Sequence, residues 1–157
     1  MESQQYDAAD LERSYVACEA VGRHYERVIQ NCDPTTGRSS VCGPWIDRVI
    51  YLVMVIRCDM DQNGFSSLIQ QSLSLDDLRF VVDAFERLEE KELAVEFQLV
   101  LEATVTSGYE LNKCGYQIDD PLWDQLEAIG ERIREIGRLW SIDEKLLKLI
   151  PVDCFGP

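Results

Sequence analysis

The stretch that most constrains this chain is Trp45 to Cys58, WIDRVIYLVMVIRC, which holds eight consecutive apolar residues from Val49 to Ile56. Such a run must be covered from several sides, so whatever it forms lies deep in the fold. It is far short of the ~20 residues that a membrane span needs. β-Branched residues are frequent in it, and periodicity alone does not separate a central helix from a buried strand. No other stretch offers a strand partner, so a helix buried on most sides is expected, with Pro44 at its first position.

The rest of the chain reads as helices and loops around that run. From Asp7 to about Gln30, residues Leu11, Tyr15, Cys18, Val21 (or Gly22), Tyr25, Val28 and Ile29 recur at helical spacing, with Asp7 or Asp10 as the cap. Asn31 to Gly43 is dense in turn formers and reads as a loop. Ser74-Leu75-Asp76-Asp77 is an N-cap with an acid at the third helical position, and Leu75, Leu78, Val81, Val82, Phe85 and Leu88 share one face. Glu89 to about Thr106 continues as helix after a bend near Lys91, and its wide apolar surface predicts a central place in the bundle. Ser107 to Pro121 reads as a long loop and a candidate for recognition. Pro121 to Trp140 is amphipathic, with Leu122, Leu126, Ile129, Ile133, Ile136 and Trp140 on one side. A second capping signal, Ser141-Ile142-Asp143-Glu144, opens a short last helix that Pro151 stops. At 157 residues, without repeats, the chain is expected to form a single all-α domain over 1–157, a bundle of about six to seven helices.

Charge narrows the function classes. There are 29 acidic and 15 basic residues, a formal net charge of −14. Such a surface repels nucleic-acid phosphates, so direct DNA or RNA binding is disfavoured and basic proteins become the natural partners. Acidity that serves solubility alone is the competing explanation. The opening residues, MESQQYDAADLERS, lack a basic segment and an apolar core, so no secretory signal is expected and the cytoplasm is the expected location. The six cysteines form no C-x-x-C pair, and the single histidine, His24, has no ligand-type neighbour three or four residues away. Reduced, partly buried cysteines and a surface or core-edge histidine are therefore expected, although Cys32 and Cys42 could bridge a loop if oxidised.

Two acidic features invite a site. Asp59-x-Asp61-x-Asn63-Gly64 matches the first half of a calcium loop, but position twelve is the neutral Gln70 and position eight is Ser66. Without the bidentate carboxylate or a second loop, the stretch reads as a helix end, with Asn63 and Gly64 as positive-φ turn residues followed by Phe65. No metal or other cofactor is expected. On the Pro121 helix, Asp120, Asp124, Glu127 and Glu131 are spaced 4, 3 and 4 and share a face opposite the apolar stripe. Successive carboxylates would stand about 5–6 Å apart, close to the spacing of phosphates along a strand. A solvated helix face is the alternative, with Arg134 and Arg138 neutralising Glu131 and Glu135. A second acidic group, Glu86, Glu89, Glu90, Glu92 and Glu96, carries the same two readings. One histidine, no Gly-rich phosphate loop and no G-x-S-x-G leave no catalytic signature, and no enzyme activity is expected.

Taken whole, QNGFSSLIQQS resembles the signature of a bacterial family of small acidic helical proteins whose best-known type is a DNA mimic. The chain keeps Gly64, Phe65 and Ser72 of that pattern; Gln62 and Asn63 replace its asparagine and first glycine, and Leu68 and Ile69 its aromatic pair. The likeness covers about 45–150. It implies an all-helical domain without enzymatic activity, and in the mimic type carboxylates that occupy a regulator's DNA site. Those carboxylates are not part of the signature, so Asp120, Asp124, Glu127 and Glu131 rest on spacing alone. The expected role is a cytoplasmic protein-interaction module for a basic or DNA-binding partner. The alternatives are a toxin-neutralising immunity-type protein, or a calcium-binding or enzymatic protein using the Asp59–Gln70 loop.

Overall fold

The computed structural model describes residues 8–30, 44–108 and 118–151. Among them it contains eight α-helices and no strand: α1 (Ala8–Gln30), α2 (Trp45–Gln62), α3 (Phe65–Gln71), α4 (Leu75–Arg87), α5 (Lys91–Ser107), α6 (Asp120–Ile136), α7 (Arg138–Ser141) and α8 (Asp143–Leu149). The all-α expectation holds. The two helices that the sequence reading did not place are α3, inside the stretch read as a turn, and α7, split from the end of α6.

The apolar run becomes the central helix. α2 packs against α1, α3, α4, α7 and α8, and Val49 to Val53, Ile56 and Met60 are all buried. Pro44 is its N-cap, one residue earlier in the helix frame than expected. At the entrance to α2, Arg48 and Arg87 lie over the rings of Phe80 and Trp45, each 4.2 Å from the centroid. These cation–π contacts hold α4 to the start of α2. On the other side, His24 Nε2 stands 2.7 Å from Asp47 Oδ1 and joins α1 to α2. His24 is buried, a core-edge residue with Asp47 as its one carboxylate partner among the described residues.

The capping box of α4 forms as its sequence predicts: Asp77 N–H donates to Ser74 Oγ, and Ser74 N–H to Asp77 Oδ2. The bend lies just before Lys91, at Leu88–Glu90, where Glu89 takes φ 59°, the left-handed region. α5 then folds back along α4 and packs against α6 on its other flank. It is not central: it buries Leu93, Ala94, Phe97, Val100, Ala103 and Thr104 but leaves Val95, Leu99 and Val105 outside. Phe97 forms the middle of an aromatic group, 5.4 Å from Phe85 and 6.1 Å from Phe65 between centroids.

Three local expectations are corrected. The helix begun by Pro121 starts at Asp120, with Asp119 accepting from Leu122 N–H, and it ends at Ile136 rather than Trp140. Gly137 in the left-handed conformation terminates it and redirects the chain into α7. Ser141 does not cap α8; it belongs to α7, and α8 has no side-chain cap. Cys18 and Cys58 are exposed, not partly buried. Asp10 lies inside α1, which starts at Ala8, and so does not cap it; Asp7, the loop readings at 31–43 and 109–117 and the Cys32–Cys42 question lie outside the described residues.

Candidate functional site

α2 runs on through Asp59 and Asp61, so the acids of the half calcium loop stand on a helix. Ser72 Oγ donates to Asp59 Oδ2, closing the stretch on itself. Among the described residues no three of His, Cys, Asp or Glu gather as metal ligands. Asn63 ends α2 with φ −122°, and Gly64 alone takes the positive φ, +85°. That angle is cheap only for glycine, and it turns the chain so that Phe65 opens α3 with its ring in the core.

α3 has no cap of its own, because Gly64 offers no side chain. Its cap comes from α6: Ser66 N–H donates to Glu127 Oε1 at 3.1 Å. A carboxylate there satisfies one otherwise orphaned N–H and faces the positive end of the helix dipole. Ser66 Oγ donates to the carbonyl of Trp123, 3.3 Å away. One turn further along α6, Gly130 lies under Phe65, where a Cβ would come within 2.6 Å of Phe65 Cβ. Another turn on, Arg134 donates to the carbonyl of Met60 near the end of α2, at 2.6 Å. One side of α6 thus clamps the whole 59–72 stretch.

This geometry divides the four acids read as one row. Asp120, Asp124 and Glu131 are exposed, whereas Glu127 is half-buried and engaged with α3. At 1.5 Å of rise per residue, Asp124 and Glu131 stand about 10 Å apart along the axis. Glu131 also meets Arg134, at 3.8 Å. The second acidic group divides likewise. Glu86, Glu89 and Glu92 are exposed, but Glu96 is held by Arg132 at 3.0 Å and Glu90 is buried. Arg138 reaches Glu90 at 2.6 Å and Lys145 reaches it at 2.8 Å, while Lys145 also donates to the carbonyl of Leu88. Burial works against the charge on Glu90, but hydrogen bonds from Arg138 and Lys145, reinforced by their charges, outweigh it. Its carboxyl is held below its ordinary value of 4.5.

The buried ion pair at the centre had only a faint sequence signal. Arg57 on α2 makes a bidentate pair with Asp143 of α8, at 3.0 and 3.1 Å, and donates to the carbonyl of Leu139 at 2.7 Å. Both side chains are buried. The three contacts satisfy much of the guanidinium and fix α7 and α8 onto α2. An arginine next to an apolar run was the only hint, and spacing could not name its partner 86 residues away.

The resulting surface is predominantly acidic, although Arg23, Arg79, Arg87, Lys91 and Lys148 are exposed as well. Arg48, Arg57, Arg132, Arg138 and Lys145 are tied to carboxylates within the fold. Exposed acids remain along α1 at Glu12, Glu19 and Glu26, on α4 and α5 at Asp83, Glu86, Glu92 and Glu102, and on α6 at Asp120, Asp124, Glu131 and Glu135. No helix among the described residues is long and apolar enough to cross a membrane. No family model, curated protein or solved structure matches this chain.

Proposed function

We propose that this chain is a cytoplasmic acidic protein-interaction module that occupies a cationic face of a protein partner, with imitation of a nucleic-acid backbone as the sharpest form of that role. The observation that carries it is the partition of charge. The basic side chains engaged within the fold are nearly matched by the carboxylates they hold, so the excess of 29 acids over 15 bases falls on the outward surface. Asp120 and Asp124, about 6 Å apart along α6, and Glu131 beyond the gap at Glu127 are the mimicking carboxylates. The resemblance at Gly64, Phe65 and Ser72 supports the same reading, since those residues shape the stretch that α6 holds. Buried Arg57, Asp77, Glu90 and Asp143 all have structural partners, which supports a binder rather than a catalyst.

The test is capture from a nuclease-treated extract of the native host on immobilised chain, against a variant with Asp120→Lys, Asp124→Lys and Glu131→Lys. A basic partner held at low salt, released as salt rises and absent from the variant supports the proposal. Partners that survive high salt and bind the variant equally well overturn it.

A further inference from the structure

Large apolar side chains left in the open on α5 point to where a partner would sit. Val95 is 58 % exposed and Leu99 38 % exposed, and at 100° per residue the two stand one above the other on the outer face of α5. The ridge is flanked by two hollows. One, of about 570 Å³, runs between α5 and α6 and is lined by Glu92, Glu96, Arg132, Glu135 and Ile136; the other, of about 600 Å³, is bordered by Glu86, Gln98 and Glu102. Lys91 and Val95 line both. Five carboxylates thus ring the ridge against two cations, Lys91 and Arg132, and Arg132 is already bound to Glu96.

Resting on the reading of the chain as an acidic module, we infer that the α5 ridge and its flanking hollows dock a cationic amphipathic helix of the partner. Two physical arguments select that occupant. The described residues offer no strand edge to which an extended peptide could add, whereas a helix lays a matching apolar stripe on Val95 and Leu99 with its backbone groups satisfied internally. The acidic rim then demands lysine or arginine beside the apolar stripe of that helix. A second copy of this chain is a poor occupant, because the same face would bring like-charged rims together on molecules of net charge −14.

The test uses the full chain and a synthetic peptide about four turns long, with leucines at i, i+3, i+4 and i+7 and lysines elsewhere. A scrambled isomer of the same composition serves as control. Calorimetry is run on the native chain, on the double variant Val95→Ser, Leu99→Ser, and on the α6 variant Asp120→Asn, Asp124→Asn, Glu131→Gln. The substituted ridge side chains are substantially exposed, so both variants should fold, which circular dichroism checks. The expected result is about tenfold weaker binding for the ridge variant and for the scrambled peptide, with little change in the α6 variant. Equal binding of the two peptides, or an unaffected ridge variant, overturns the ridge assignment. If only the α6 variant loses binding, the ridge fails while the acidic-module reading stands. If neither peptide binds at low salt, both fail.

Discussion

Replacing Gly130 by alanine separates helix–helix docking from helix propensity. In most helix interiors this change is favourable by about 1 kcal/mol. At Gly130 the added Cβ would meet Phe65 Cβ at 2.6 Å and Cγ at 2.8 Å. Those atoms are anchored to the start of α3, so relief requires α3 to move off α6. Overpacking of this kind costs about 1–3 kcal/mol. Displacing α3 also weakens the bond from Ser66 N–H to Glu127, worth about 1 kcal/mol. Set against the propensity gain, the net loss is about 2 kcal/mol, or about 4–8 °C in Tm for a chain of this length. Gly22 in α1 is the internal control, because a Cβ there meets nothing within 4 Å. Gly22→Ala should stabilise by about 0.5–1 kcal/mol. Urea denaturation followed by circular dichroism compares the three proteins. A Gly130→Ala variant as stable as the native chain, or stabilised like Gly22→Ala, refutes the close docking of Phe65 on α6.

Asp143→Ala strands Arg57 as an unpaired buried charge and should cost about 3–5 kcal/mol, whereas Arg57→Met with Asp143→Leu should recover most of that in the same denaturation assay. Glu90→Gln should cost about 1–2 kcal/mol at neutral pH, discounted because Arg138 and Lys145 are partly exposed. Since the folded Glu90 has a depressed pKa, its contribution is present above the ordinary value of 4.5 and is lost as pH falls through the lower folded value. The stability gap between native chain and Glu90→Gln should therefore close below that pH; a constant gap from neutral pH down to strong acid contradicts it. Glu127→Ala should lower stability by about 1 kcal/mol, while Asp124→Asn and Glu131→Gln stay within about 0.5 kcal/mol.

Helical periodicity and capping made the main elements legible. The Val49–Ile56 run announced α2, Ser74 with Asp77 announced α4, and the stripe from Leu122 to Ile133 announced α6. Short elements were hidden because tertiary contacts, not local pattern, sustain them. α3 depends on a cap supplied by Glu127 more than sixty residues away in sequence, and α7 depends on Gly137, whose left-handed turn a continuous apolar stripe conceals. Long-range pairing was likewise beyond the pattern. Nothing in the spacing distinguished Glu127 from Asp124, or Glu90 from Glu89, yet one member of each pair is engaged inside the fold and the other faces water. Of the candidate surface, the sequence announced the acidity. The exposed Val95 and Leu99 were masked by the apolar residues that α5 buries on its opposite side.

The central claim is that outward carboxylates occupy a partner's cationic, nucleic-acid-binding face. It is tested most directly by titrating this chain into a complex of the captured partner with labelled duplex DNA and following fluorescence anisotropy. The account predicts that DNA is released as the chain binds, at a concentration that rises steeply with salt. Anisotropy that stays at its bound value while the chain joins a three-component complex contradicts it.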